Sequence, residues 1–136
     1  MDWQSLAYAV VQVAHNFGAA AVVGGAVFAL WLAREREGRR KLAWLVLAGW
    51  VVQGASGASF GAVSFLYYGK FPDIAGVAVA ALVVKIVCAA GGFVLAALYL
   101  RAGGRWTEAR QEQAWRGEAA LGATALTAAA FLRWFA

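Results

Sequence analysis

His15 is the only histidine of the chain, and it stands in the uncharged stretch Trp3–Ala33, three residues after Gln12 and one before Asn16. Lys85 interrupts a second apolar stretch, Ile74–Leu100, with Cys88 three residues further on. An ionisable side chain within a segment long enough to cross a bilayer is costly and needs a partner or a role. For His15 the roles are haem-iron ligand, copper ligand or proton carrier, set against a neutral imidazole hydrogen-bonded to a neighbouring helix. Lys85 has no acidic neighbour along the chain, since Asp73 and Glu118 fall at the ends of apolar stretches. A bound anionic group, such as a haem propionate or a substrate carboxylate, would neutralise it. The alternative is a lysine reaching along a wet cleft. A third stretch contributes Gln53, Ser56 and Ser64, whose offsets of three and eleven bring them near one helical face.

Helices must position these groups. Four apolar stretches predict helices over about 4–33, 42–67, 74–100 and 117–135. The first three exceed the roughly 20 residues that cross a bilayer and the last nearly meets them. Pro72, in Tyr68–Asp73, forbids helix continuation there. His15 lies 11 residues from the start of the first predicted helix and Lys85 11 from the start of the third. At 1.5 Å per residue both sit roughly 16 Å deep, near the membrane middle. Ser56, counted back from Tyr67, falls in the same layer. The candidate ligand-binding set is therefore His15, Lys85, Ser56 and Gln53, with His15 as the candidate metal ligand.

Composition agrees with a membrane protein. Hydrophobic residues make up 63% of the 136 and charged ones 14%, too little charge to cover a soluble domain of this size. The excess of basic residues could suggest nucleic acid in a soluble protein. Here it concentrates in two loops, as lipid contact and topology require, and no nucleic-acid partner is expected. The first loop carries Arg34, Arg36, Arg39, Arg40 and Lys41, and the third carries Arg101, Arg105, Arg110 and Arg116, against only Lys70 and Arg133 on the other side. The positive-inside rule puts both basic loops in the cytoplasm and both termini outside it. The expected fold is all-α, a single polytopic four-helix membrane bundle in the inner (plasma) membrane. Met1-Asp2-Trp3-Gln4 lacks a basic leader and the following run is too long for a signal-peptide core, so the first helix is expected to be a span.

Other features are structural expectations. The segment Arg105–Arg116 reads as a short interfacial helix leading into the fourth. Glu118 is expected to pair with Arg101 or Arg116 at the membrane boundary. Ala14/Gly18, Ala21/Gly25 and Gly57/Gly61 follow small-xxx-small spacing. The pairs Gly24-Gly25 and Gly91-Gly92 either pack helices or leave room for a flat cofactor. A single cysteine excludes an intrachain disulfide. Met1 is the only methionine, which excludes a Met-rich copper path. With one histidine, bis-histidine haem ligation within one chain is excluded. A second axial ligand would be water, Lys85, Cys88 or a group from a second subunit.

These residues together resemble a known family. His15-Asn16-Phe17-Gly18-Ala19-Ala20, the pair Ser56-Gly57, Val83-Val84-Lys85-Ile86 and Trp115-Arg116-Gly117-Glu118-Ala119-Ala120-Leu121-Gly122 look like the four-helix core of the copper resistance protein D family. The related membrane protoporphyrinogen oxidases, which bind haem b, have a similar His-then-Lys layout. The resemblance implies that His15 matches the first-helix histidine and Lys85 the third-helix lysine. The expected function is binding of haem b or copper at the mid-membrane layer, in copper handling or electron transfer. Whether catalysis accompanies it is left open. The alternative is an accessory subunit of a larger respiratory or transport complex, for which a homodimer or larger membrane assembly is the expected partner. A small transporter is disfavoured, because inverted repeats and broken helices are absent.

Overall fold

The computed structural model describes residues 2–136, and its secondary structure is helical throughout. Four α-helices follow in order: α1 (Trp3–Trp31), α2 (Arg36–Tyr68), α3 (Val77–Ala102) and α4 (Glu108–Phe135), with a single 3₁₀ turn at Gly103–Arg105 before α4. Three segments are long and apolar enough to cross a membrane: α1, α2 and Val77–Arg105. The outer surface exposes large apolar side chains such as Val10, Phe17, Leu66, Ile86, Val87 and Phe131. An apolar exterior of this extent suits hydrocarbon rather than water.

The helices run up and down, with α1 packed most extensively on α2, α3 on α4, and α4 closing back onto α1. Gln4 Nε2 donates to Tyr68 Oη, which ties the start of α1 to the end of α2. At the opposite end Arg36 Nη1 donates to Gly104 O at 3.0 Å and Arg40 Nη1 to Leu100 O at 3.4 Å. The two basic loops thus share one end of the bundle, called here the basic end.

Helix boundaries depart from the predicted ones where charged segments fold. α2 begins at Arg36, not at residue 42, because its charged first turns contain good helix formers and an i,i+4 Glu37–Lys41 pair at 2.9 Å. The interfacial helix expected over Arg105–Arg116 is the first part of α4 itself, starting where Thr107 Oγ1 accepts from the Arg110 N–H. α3 starts at Val77, three residues late, behind Gly76, whose φ of 53° is in a region glycine enters without a Cβ penalty.

Close helix approach is made by particular small residues. Gly18 and Gly49 face each other: a Cβ on Gly18 would lie 3.1 Å from Gly49 O, and one on Gly49 would lie 3.0 Å from Gly18 O. Gly25 receives Val46, and Gly92 receives the indole of Trp50, which would stand 2.2–2.4 Å from an added Cβ. The space beside Gly25 and Gly92 is therefore filled by protein side chains rather than left for a flat cofactor. Gly24 and Gly57 have open space around them.

Arg39, counted above as a loop charge, is only 4% exposed. Its Nε donates to Ala33 O at 2.9 Å and Ala29 O at 3.3 Å. It thereby serves carbonyls at the end of α1, which have no partner within their own helix, and places a cation at the negative end of that helix.

Candidate functional site

The bundle brings His15, Lys85, Ser56 and Gln53 together. His15 Nδ1 lies 2.6 Å from Ser56 Oγ, and His15 Nε2 lies 2.8 Å from Lys85 Nζ. Gln53 Nε2 donates to the backbone carbonyl of His15. Each side chain comes from a helix with a reason to present it inward. The Gly18–Gly49 contact draws α1 against α2 just beyond His15, so that Gln53 and Ser56 on the next turns of α2 reach α1. Lys85 comes across the bundle from α3 and is half-buried. Phe60 closes the imidazole from one side, edge-on at 5.7 Å between centroids.

The hydrogen-bond directions assign the imidazole tautomer. Ser56 Oγ donates to Val52 O, a pattern in which a helix hydroxyl bonds back one turn. With its hydrogen so engaged, the hydroxyl accepts from His15, which puts the ring hydrogen on Nδ1. Nε2 is then the acceptor and Lys85 Nζ its donor. The result is a directed chain, Lys85 N–H to His15 Nε2 and His15 Nδ1–H to Ser56 Oγ, whose hydroxyl ends on a carbonyl oxygen that can only accept. Such a chain can pass a proton from Lys85 Nζ to His15 Nε2, and release from Nδ1 requires the Ser56 hydroxyl to turn from Val52 O toward another acceptor.

This arrangement also bears on metals. In this conformation both nitrogens of His15 have protein partners, so a metal at Nε2 requires Lys85 Nζ to withdraw. Among the described residues no three His, Cys, Asp or Glu side chains converge as a metal site. Cys88 is buried with a free thiol, one turn from Lys85 on α3. The chain itself thus offers the imidazole Nε2 as a nitrogen donor, with the Lys85 amine 2.8 Å from it.

The remaining polar residues divide between interior and surface. Gln12 and Asn16 are not part of the layer: Gln12 Nε2 donates to Asn16 Oδ1 at 2.7 Å, and Asn16 is exposed on the outer face of α1. Ser64 donates to Lys70 O and holds the α2–α3 turn. Toward the basic end a second buried group appears. Glu118, 2% exposed, accepts from Trp50 Nε1 through Oε2 at 2.8 Å. Neither Arg101 nor Arg116 pairs with it; Arg116 Nη2 binds Glu112 Oε1 instead, at 2.6 Å. Glu118 Oε1 and Trp115 Nε1, one turn apart on α4, have no protein partner. Beyond them Tyr99 Oη donates to Gln111 Oε1, and Gln111 Nε2 donates to Gly103 O. This column of Trp50, Glu118, Trp115, Tyr99 and Gln111 was missed as a unit in the sequence. Its signal is the spacing of Gln111, Trp115 and Glu118 along one face of a continuous α4. No family model, no curated protein and no solved structure matches the chain.

Proposed function

We propose that the chain is a multi-pass protein of a plasma membrane, with four spans and its basic end in the cytoplasm, and that its Lys85–His15–Ser56 layer is a proton relay. The single observation that carries this reading is the engagement of both His15 nitrogens, one by a donor that can itself carry a proton and one by a hydroxyl. The concentration of nine arginines and lysines at the basic end supports the orientation. For α4 the span is the apolar part after Glu118, flanked at the far end by Trp134 and Arg133.

In this function Lys85 Nζ passes a proton to Nε2 while the imidazole releases its Nδ1 proton to Ser56 Oγ. The Ser56 hydroxyl turns from Val52 O to hand its own proton to a water, and another water reprotonates Lys85 Nζ. Gln53 holds the backbone of His15 so that the ring keeps both contacts. Glu118 supplies the other buried acid–base group, nearer the basic end. The test is proton flux in liposomes carrying the purified protein and an internal pH dye, driven by a pH step with potassium and valinomycin to clamp the potential. Wild-type protein is expected to speed equilibration relative to empty liposomes. Lys85→Met and His15→Phe are expected to lose that increment while retaining helical content. Equal flux in wild type and both variants would overturn the relay.

A second reading keeps haem b or copper at the same layer, in electron transfer or copper handling, as the likeness to copper resistance D proteins implies. The observation favouring it is that Nε2 points across the bundle at a long, half-buried lysine, whose withdrawal would expose a nitrogen donor. Its test is an absorption spectrum before and after dithionite with metal analysis, in wild type and His15→Ala. As a third reading, an accessory subunit of a larger complex is favoured by the Gln12–Asn16 pair, two polar side chains on a face that otherwise meets lipid.

A further inference from the structure

At the basic end, α2 and the α3–α4 connection enclose a cleft of about 210 Å³, lined by Arg36, Glu37, Arg40, Tyr99, Gly103, Gly104 and Gln111. Arg36 and Arg40 are one turn apart and both face it. Each uses an Nη1 on a backbone carbonyl of the opposite wall, Gly104 O and Leu100 O respectively. Those contacts fix the side chains while leaving other guanidinium N–H groups uncommitted, since five donors are available on each. Among the described residues neither arginine has a carboxylate partner. The one acidic side chain in the lining, Glu37, is bound to Lys41 at 2.9 Å. Gly104 has open space where a Cβ would stand, so the wall admits an approach to the backbone. The neighbouring charges of this end are mostly positive: Arg34, Arg101 and Arg105 outweigh Glu35 and Glu108.

We propose that this cleft binds a phosphate group, held between the Arg36 and Arg40 guanidinium forks. Paired planar donors match phosphate oxygens better than point charges do. The depth of the site favours a phospholipid headgroup as the source. Trp44, one turn along α2 from Arg40, and Trp31, at the end of α1, are both exposed, as aromatic side chains are where hydrocarbon meets headgroups. Basic clefts between helices at a cytoplasmic membrane surface are suited to anionic lipid heads. This inference does not depend on the His15 relay.

The experiment measures thermal unfolding of the purified protein in neutral detergent against added phosphatidylglycerol, phosphatidylcholine and, separately, inorganic phosphate. Phosphatidylglycerol is expected to raise the midpoint saturably in wild type. Its apparent affinity should fall about tenfold or more in Arg36→Gln/Arg40→Gln, from loss of charge-assisted hydrogen bonds. Arg110→Gln, which stacks on Trp106 at 4.8 Å and does not line the cleft, should keep wild-type affinity. Stabilisation by inorganic phosphate that the double variant abolishes also supports the site and assigns it a soluble phosphate compound. An equal loss in Arg110→Gln, or no saturable response to either phosphate source, overturns the proposal. A folded, unliganded Arg36→Lys/Arg40→Lys protein guards against misfolding of the glutamine variant, and wild-type affinity in it overturns the fork geometry.

Discussion

Gly92→Ala adds one methyl group and is expected to be among the most damaging small changes available in this chain. The added Cβ would stand 2.2–2.4 Å from three atoms of the Trp50 indole, well inside any real contact. Trp50 must move, and it is buried in the core with its Nε1 bound to Glu118 Oε2 at 2.8 Å. Overpacking a core costs about 1–3 kcal/mol, and a hydrogen bond to a charged group is worth about 1.5–3 kcal/mol. If the indole shifts far enough to lose that bond, the combined cost is about 2.5–6 kcal/mol. Gly57→Ala is the matched control, a helical glycine with nothing within 4 Å of its Cβ position. It should be neutral or stabilising by up to about 1 kcal/mol, the backbone-entropy gain. The assay is unfolding by sodium dodecyl sulfate in mixed micelles, followed by helical circular dichroism. Coupling identifies the cause: on a Trp50→Phe background the Gly92→Ala cost should shrink by more than about 1 kcal/mol. An undiminished cost there, or Gly92→Ala as benign as Gly57→Ala, would refute the packing argument.

Further predictions concern the hydrogen-bonded side chains. Ser56→Ala removes the acceptor of His15 Nδ1–H and should destabilise by about 1 kcal/mol, within the range for interhelical bonds in membranes, measured in the same micelle assay; Ser59→Ala, whose hydroxyl bonds only to Ala55 O of its own helix, should cost less. Arg39→Gln withdraws the donor to Ala29 O and Ala33 O and should speed amide exchange in the Arg34–Gly38 connection and the first turn of α2, with little change at the far end. Asp2 caps α1 by accepting from the Ser5 hydroxyl and the Gln4 N–H, which hold its carboxyl below its ordinary 3.8. A lowered carboxyl contributes above its unfolded value and loses that contribution as pH falls through the folded one. The Gln4 amide should therefore exchange relatively faster at acid pH, and Asp2→Asn should remove that dependence.

The fold was legible because its main signals are long and redundant. Four apolar stretches and two basic loops predict four helices in alternation, and the structure contains them. Boundaries were less legible where charged residues fold as helix: Arg36–Lys41 and Glu108–Arg116 lack apolar periodicity but join α2 and α4. The depth count brought His15, Lys85 and Ser56 to one layer, because rise per residue converts sequence distance into height. It could not show which atoms meet, since that depends on helix rotation. Rotation also keeps Gln12 and Asn16, neighbours of His15 in sequence, out of the layer. Gln12 lies roughly 60° and Asn16 roughly 100° around the helix from His15, which leaves Gln12 half-buried and Asn16 exposed. Glu118 was misread for a related reason. Its neighbours in sequence suggested a boundary ion pair, whereas the gap beside Gly92 admits Trp50 from α2 and carries an indole N–H to its carboxylate.

Since His15 is the only histidine, selective ¹⁵N-histidine labelling gives one imidazole pair, and nitrogen NMR of the protein in lipid reads it directly. The relay predicts a protonated Nδ1 and an accepting Nε2 at neutral pH, with the Nε2 signal moving in Lys85→Met and the Nδ1 signal moving in Ser56→Ala. A protonated Nε2 with a bare Nδ1, or signals indifferent to both substitutions, would contradict it.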